Sequence, residues 1–178
     1  MLFAAREEPV QTTLRAIKLL MLVIWLGGLI FFGAVLAPVA FTRLPSTHMA
    51  GMVVGTSLSI LHIIGLVCGV IFIGAAFVLH LIAKFRKPRI SAQIALIGIM
   101  LVITAVSQFR VIPRMEDDRA QIAAITGSTD GDISAVPPDS PARVDFNHMH
   151  VLSTRFEEVV MLCGLIVLVL VARPDDAS

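Results

Sequence analysis

The stretch LLMLVIWLGGLIFFGAVLAPVAF, residues 19–41, contains no Asp, Glu, Lys or Arg. An α-helix rises about 1.5 Å per residue, so a run of this length can cross a hydrocarbon core about 30 Å thick. The run is too long for the core of a signal peptide and lacks a clear basic start. We therefore interpret it as a retained membrane helix.

Three further apolar runs follow, at residues 52–83, 90–109 and 159–172. Hydrophobic residues make up 57% of the chain and charged residues 15%, whereas soluble domains carry about a quarter charged residues. We predict an all-α fold, an integral membrane four-helix bundle forming one domain over residues 1–178. The predicted helices span roughly residues 14–41, 52–83, 90–112 and 143–172, with an outer loop at about residues 113–142.

The basic segment KFRKPR, residues 84–89, lies between the second and third runs. Short loops rich in Lys and Arg remain on the cytoplasmic side of a membrane. Four crossings then place both termini in the cytoplasm and the third loop outside. The middle of that loop is predicted to be irregular, because it contains Gly127, Gly131, Pro137 and Pro138. Its first part, RMEDDRAQIAAI, is compatible with a short interfacial helix after a break at Pro113.

Polar residues from three helices are predicted to meet in one layer near the outer membrane edge. Counting from the cytoplasmic end of each helix places them about 28–34 Å up, close to the outer boundary of the hydrocarbon. We call this set the outer polar cluster, and it consists of His62, Gln108, Arg110, His150, Ser153 and Glu157.

Glu157 is the most informative member of the outer polar cluster. The fourth run has only 14 residues, about 21 Å of helix, so the fourth helix must begin near Ser153 or earlier. Glu157 then lies inside the membrane and should face the bundle, because a carboxylate facing lipid is costly. Arg110, Gln108 and His150 are its candidate partners, while Glu158 is spaced to pair with Arg155.

Three motifs carry a resemblance to a known family: WLGGLIFFGAVLAPVAF (residues 25–41), QFRVIPRMEDDRA (108–120) and SPARVDFNHMHVLSTRFE (140–157). Together they resemble the transmembrane protein 205-like family over nearly the whole chain. The last motif matches at Phe146, His150 and Ser153, but has Met149 in place of Leu and Glu157 in place of Asn. The resemblance implies four transmembrane helices and a domain of unassigned molecular function.

Ligand or ion binding by the outer polar cluster is the function that these residues favour, since intramembrane ionisable residues usually mark functional sites. A copper or haem site with His62 and His150 as candidate ligands is one alternative. A non-catalytic membrane scaffold is another. The cofactor is left open.

An enzyme is not expected, because no nucleophile stands beside a base and Ser153 has no evident oxyanion pocket. The lipid bilayer of the cell membrane is the predicted surrounding. A homo-oligomer is compatible with the sequence. If the protein transported an ion, the four helices of one chain would form only a small path, and several copies would be needed. The net charge of +1 does not indicate a nucleic-acid partner.

Overall fold

A computed structural model describes residues 4–82, 88–129 and 131–172. Its described part is all-helical, as predicted, and forms four long helices. The first comprises α1 (Ala4–Phe31), a π-helical turn (Phe32–Leu36) and α2 (Ala37–Arg43), and the second is α3 (Thr47–Ile82). The third comprises α4 (Pro88–Val106), a π-helical turn (Ser107–Val111) and α5 (Ile112–Thr126). A 3₁₀ turn (Ile133–Ala135) precedes the fourth, α6 (Pro141–Ala172).

Three of the long helices have the length and composition of membrane spans: Glu8–Arg43, Thr47–Ile82 and Arg89–Thr126. The fourth, α6, is also long but carries Arg155, Glu157 and Glu158 before its apolar half. We call the end of the bundle that holds α5 the outer end, following the predicted orientation. Most of the basic segment on which that orientation rests, residues 84–87, lies outside the described residues.

The two π-helical turns explain how two prolines are accommodated inside long helices. Pro38 and Pro113 each lie two residues after the end of such a turn, as the second residue of α2 and of α5. A proline in an α-helix normally collides with the carbonyl four residues earlier. Here the backbone N–H before each proline bonds five residues back, from Ala37 to Phe32 and from Ile112 to Ser107. The wider turn therefore leaves space for the proline ring.

The predicted helix break at Pro113 is therefore absent, and the third helix continues through α5 to Thr126. About half of the segment expected to form an outer loop is helical. The remainder packs closely on α5, where Ile122, Val136 and Ala142 form a small buried core of their own. Gly131 has a φ of +63°, and a Cβ there would collide with the backbone carbonyl of Arg119. The segment between α5 and α6, described at residues 127–129 and 131–140, is thus held against these two helices, and we call it the outer cap.

The inner half of the bundle is tightly packed around Trp25, which is only 2% exposed. Gly65 and Gly69 let the helices approach closely, since a Cβ at either position would collide with the Trp25 indole. Gly164 on α6 similarly admits the side chain of Leu26. The same core also contains Leu22, Leu29, Cys68, Phe72, Ala76, Ile97, Met100, Val160 and Val167.

Candidate functional site

A hydrogen-bonded network links three of the long helices in the outer half of the bundle. His62 on α3 is 1% exposed, and its Nε2 lies 2.6 Å from Oε1 of Glu157 on α6. Its Nδ1 lies 3.1 Å from Oε1 of Gln108, in the π-helical turn of the third helix. Gln108 in turn donates from Nε2 to the Ser59 hydroxyl at 2.8 Å. We call these four residues the His62–Glu157 network.

The network engages both ring nitrogens of His62. Nε2 contacts the Glu157 carboxylate, and Nδ1 contacts the Gln108 side-chain amide, a group that contains both a hydrogen-bond donor and an acceptor. The buried imidazole therefore has a hydrogen-bond partner at each nitrogen.

The local geometry of each helix brings these side chains together. Ser59 and His62 are three residues apart on α3 and so share one face. Gln108 lies within the Ser107–Val111 π-helical turn, where the helix is widened. Such turns are frequent at functional sites. The second π-helical turn, Phe32–Leu36, lies in the outer part of the first helix and borders the cavity described next.

A cavity of about 700 Å³, called here the outer cavity, lies beside the His62–Glu157 network. The first and fourth helices contact each other at Leu26 and Gly164, and the cavity occupies the space between them above that level. On α6 its lining extends from Arg143 to Met161, about 27 Å of helix. The outer cap closes its upper end. Its side walls are mainly apolar and include Phe32, Ala37, Phe41, Val54, Leu58, Ile112 and Met115.

Glu157 connects the outer cavity to the network. Its side chain is 17% exposed and lines the cavity, whereas His62 lies behind it and does not. Oε1 accepts the contact from His62. Oε2 is buried and has no hydrogen-bond partner among the described residues. A buried carboxylate oxygen without a donor is costly, so this atom is suited to a donor on a ligand.

The structure separates the predicted outer polar cluster into three groups. His62, Gln108 and Glu157 are joined directly, and the partner of Glu157 is His62 rather than the candidates predicted from sequence. Ser153 is buried and His150 is exposed, and both line the outer cavity. The His150 ring stacks on Phe146, with centroids 6.3 Å apart. Arg110 is exposed and lies apart from the cavity lining.

The geometry does not favour the copper or haem alternative. Both ring nitrogens of His62 are engaged, so coordination through His62 would require the network to break. Within residues 4–82, 88–129 and 131–172, no three His, Cys, Asp or Glu side chains are grouped to hold a metal ion. A metal at His150 would have to recruit ligands from outside this arrangement.

The outer rim contains the charged pairs. The predicted pairing of Arg155 with Glu158 is confirmed at 2.7 Å, and Arg114 pairs with Asp145 at 2.6 Å. Asp132 accepts hydrogen bonds from the backbone and hydroxyl of Ser134, which lower the pKa of its carboxyl group below the usual value. Its carboxylate also lies 3.9 Å from Nδ1 of His48, which joins the outer cap to the start of α3.

A second polar contact, at the inner end, was not predicted. Lys18 is 4% exposed and donates to Oε1 of Gln93, while Gln93 donates from Nε2 to the Leu170 carbonyl at 3.2 Å. The Lys18 ammonium also lies 5.2 Å from the centroid of the Phe72 ring. The isolated Gln93 inside the third apolar run was the available signal.

A known family matches more than half of the chain. The model of the family described as domain of unknown function DUF4149 matches residues 20–123. The chain belongs to this family. The match covers His62 and Gln108 and ends before Glu157. Searches of curated proteins and of solved structures found no match.

Proposed function

We propose that this membrane protein binds a small, membrane-soluble ligand in the outer cavity and carries out no chemical reaction on it. The observation that supports this most directly is Glu157, a cavity-lining carboxylate with one oxygen held by His62 and the other without a donor in the described structure. Ligand sites are typically apolar cavities of a few hundred cubic ångströms with a few polar groups that orient the ligand. The outer cavity has this character.

The ligand enters from the bilayer in this proposal. The outer part of the first helix packs mainly on α3, and its close contact with α6 lies further in, at Leu26 and Gly164. The resulting gap lies at the level of the outer half of the membrane. A hydrophobic molecule dissolved in the lipid therefore reaches the cavity without passing through water.

We also propose that the chain crosses the cell membrane four times and has both termini in the cytoplasm. The 32 residues of α6 form about 48 Å of helix, enough to cross despite the charges at Arg155, Glu157 and Glu158. Arg155 and Glu158 neutralise each other, and Glu157 faces the cavity. Within the family shown above, the three motifs quoted from the sequence support the finer assignment to the transmembrane protein 205-like group.

Cavity filling tests the proposal. Gly55 on α3 lines the outer cavity, and a Cβ there meets no atom within 4 Å. The Cβ of Gly55→Phe therefore has free space, and we expect its ring to occupy part of the cavity. Gly74→Phe is the matched control, because Gly74 lies on the same helix, is exposed, and has the same open surroundings outside the cavity.

The probe is a long-chain alcohol with a photoactivatable diazirine, added to protein reconstituted in vesicles. We expect cross-links to map to cavity residues such as Met161 and to fall at least about tenfold in Gly55→Phe, as a loss of about 1.4 kcal/mol in binding produces. Gly74→Phe should label like the wild type. Equal labelling of all three proteins, or labelling spread evenly over the lipid-facing surface, would overturn the proposal.

A further inference from the structure

Acidic side chains outnumber arginines in the lining of the outer cavity. Four acidic side chains and two arginines contribute to the lining. Arg155 neutralises Glu158, which leaves an excess of one carboxylate. Both arginines are near the outer cap. The Arg143 Nη1 donates to the Val136 carbonyl at 2.7 Å, and the Arg119 guanidinium lies 5.3 Å from the centre of the Phe146 ring. The acidic residues are Glu116, Asp132, Glu157 and Glu158.

The acidic groups differ in depth, and the deepest is Glu157. Glu158 is exposed and paired with Arg155, and Asp132 is bonded to Ser134 at the cap. Glu157 lies about 21 Å along α6 from Arg143. It is therefore the carboxylate that a ligand inside the apolar part of the cavity would meet, and its Oε2 is the buried atom with no described donor.

Aromatic rings also line the outer cavity. Phe32 and Phe41 from the first helix belong to the lining, as does Phe146 from α6, whose ring already contacts Arg119 and His150. The face of an aromatic ring attracts an organic cation, and the attraction strengthens where water is excluded. Carboxylates together with aromatic rings and apolar walls suit a molecule with a cationic head and a hydrocarbon body.

We infer that the ligand of the outer cavity is an amphipathic organic cation, such as a long-chain amine, whose ammonium group donates to Glu157. This rests on the proposed function, since it specifies what the cavity holds. The ammonium supplies the donor that Oε2 lacks, and the hydrocarbon body lies along the apolar wall toward the gap between the first and fourth helices. A fatty acid would place its carboxylate against Glu157, and a neutral alcohol would gain the hydrogen bond without the charge attraction.

Head-group selectivity tests the inference. Three diazirine probes of equal chain length, ending in an amine, an alcohol or a carboxylate, are compared in vesicles of neutral lipid. Labelling is normalised to the amount of each probe that partitions into protein-free vesicles. We expect the wild type to label with the amine at least about tenfold more than with the alcohol, since a hydrogen bond to a charged group is the stronger kind. The carboxylate probe should label least.

Glu157→Gln removes the charge while keeping the shape of the side chain. In this variant the amine and alcohol probes should label to the same extent, within about twofold. Asp117→Asn is the matched control, because it removes one negative charge at an exposed outer position away from the cavity lining. It should keep the amine preference of the wild type.

The outcomes separate the inference from the proposal on which it rests. Suppose that Gly55→Phe blocks labelling of the cavity by the alcohol probe. If the wild type then shows no preference for the amine probe, or if Glu157→Gln keeps that preference, the ligand site stands and the cationic ligand is overturned. Labelling by every probe that Gly55→Phe leaves unchanged overturns both. Alcohol labelling of Glu157→Gln shows that the variant is folded. If that variant does not fold, the wild-type preference alone decides, and equal labelling by amine and carboxylate overturns the inference.

Discussion

The inner and outer halves of the bundle use the same four helices and differ in how closely these approach. In the inner half, α3 packs against Trp25 so closely that Gly65 and Gly69 leave no room for a Cβ. In the outer half, Gly55 on the same helix faces the outer cavity, and a Cβ there would meet nothing within 4 Å. Gly51 and Gly55 have the same four-residue spacing as Gly65 and Gly69, yet they line the cavity, whereas Gly65 and Gly69 lie in the packed core.

The polar residues follow the same division. The tight inner core is apolar, and its end is closed by the buried contact between Lys18 and Gln93. The outer half carries the His62–Glu157 network beside a cavity that is wide enough for a ligand. A tight core stabilises the bundle, while the separated outer half leaves a carboxylate accessible. The difference indicates that stability and binding are assigned to opposite ends of the same helices.

The largest expected effect comes from overpacking the inner half. Gly65→Leu forces a side chain against the Trp25 indole and should destabilise the protein by about 3 kcal/mol. Thermal unfolding in mild detergent measures this loss. Gly55→Leu, on the same helix, should leave the midpoint unchanged or raise it slightly, because leucine favours a helix more than glycine does. Equal destabilisation by both variants would remove the distinction between the two halves.

A smaller effect is expected from opening the His62–Glu157 network. His62→Leu leaves Glu157 without its partner and leaves Gln108 with Ser59 alone, and should cost about 1–3 kcal/mol. Glu157→Leu combined with His62→Leu should cost less than the sum of the single changes, because neither group is then left without a partner. A thermal double-mutant cycle in detergent measures the coupling. Strict additivity would mean that the 2.6 Å contact contributes nothing to the fold.

The control for this cycle is the exposed pair on the same helix. Arg155 and Glu158 are 2.7 Å apart, but their side chains are 71% and 52% exposed. An exposed pair contributes little to stability, so Arg155→Ala should change it by no more than about 1 kcal/mol. A loss as large as that of His62→Leu would show that burial does not separate the two contacts.

The smallest perturbation tests whether the outer end faces outward. Thr129→Cys lies in the exposed outer cap and should alter stability by less than about 0.5 kcal/mol. A membrane-impermeant maleimide should label it in intact cells. The unmodified chain is the background control, since its Cys68 is buried and its Cys163 partly so. Labelling that requires permeabilised cells would reverse the orientation and place the cavity in the other leaflet.

Particular residues show how far sequence reasoning reached into the site. The depth of His62, Gln108 and Glu157 could be counted from helix ends, because helical rise is nearly constant. Their pairing could not, because a count gives height and not which neighbouring helix a side chain faces. Arg110 was placed in the right layer, yet it is exposed. The widened turn at Ser107–Val111 also changes the faces of the third helix in a way that a regular period does not predict.

The apolar runs by themselves determined that the chain is helical and suited to a membrane, since runs of that length without charges have few other stable structures. Only the tertiary structure decided that His62 pairs with Glu157 and that the first and fourth helices separate into a cavity. Those features depend on how helices distant in sequence rotate and pack against one another, which no local pattern encodes.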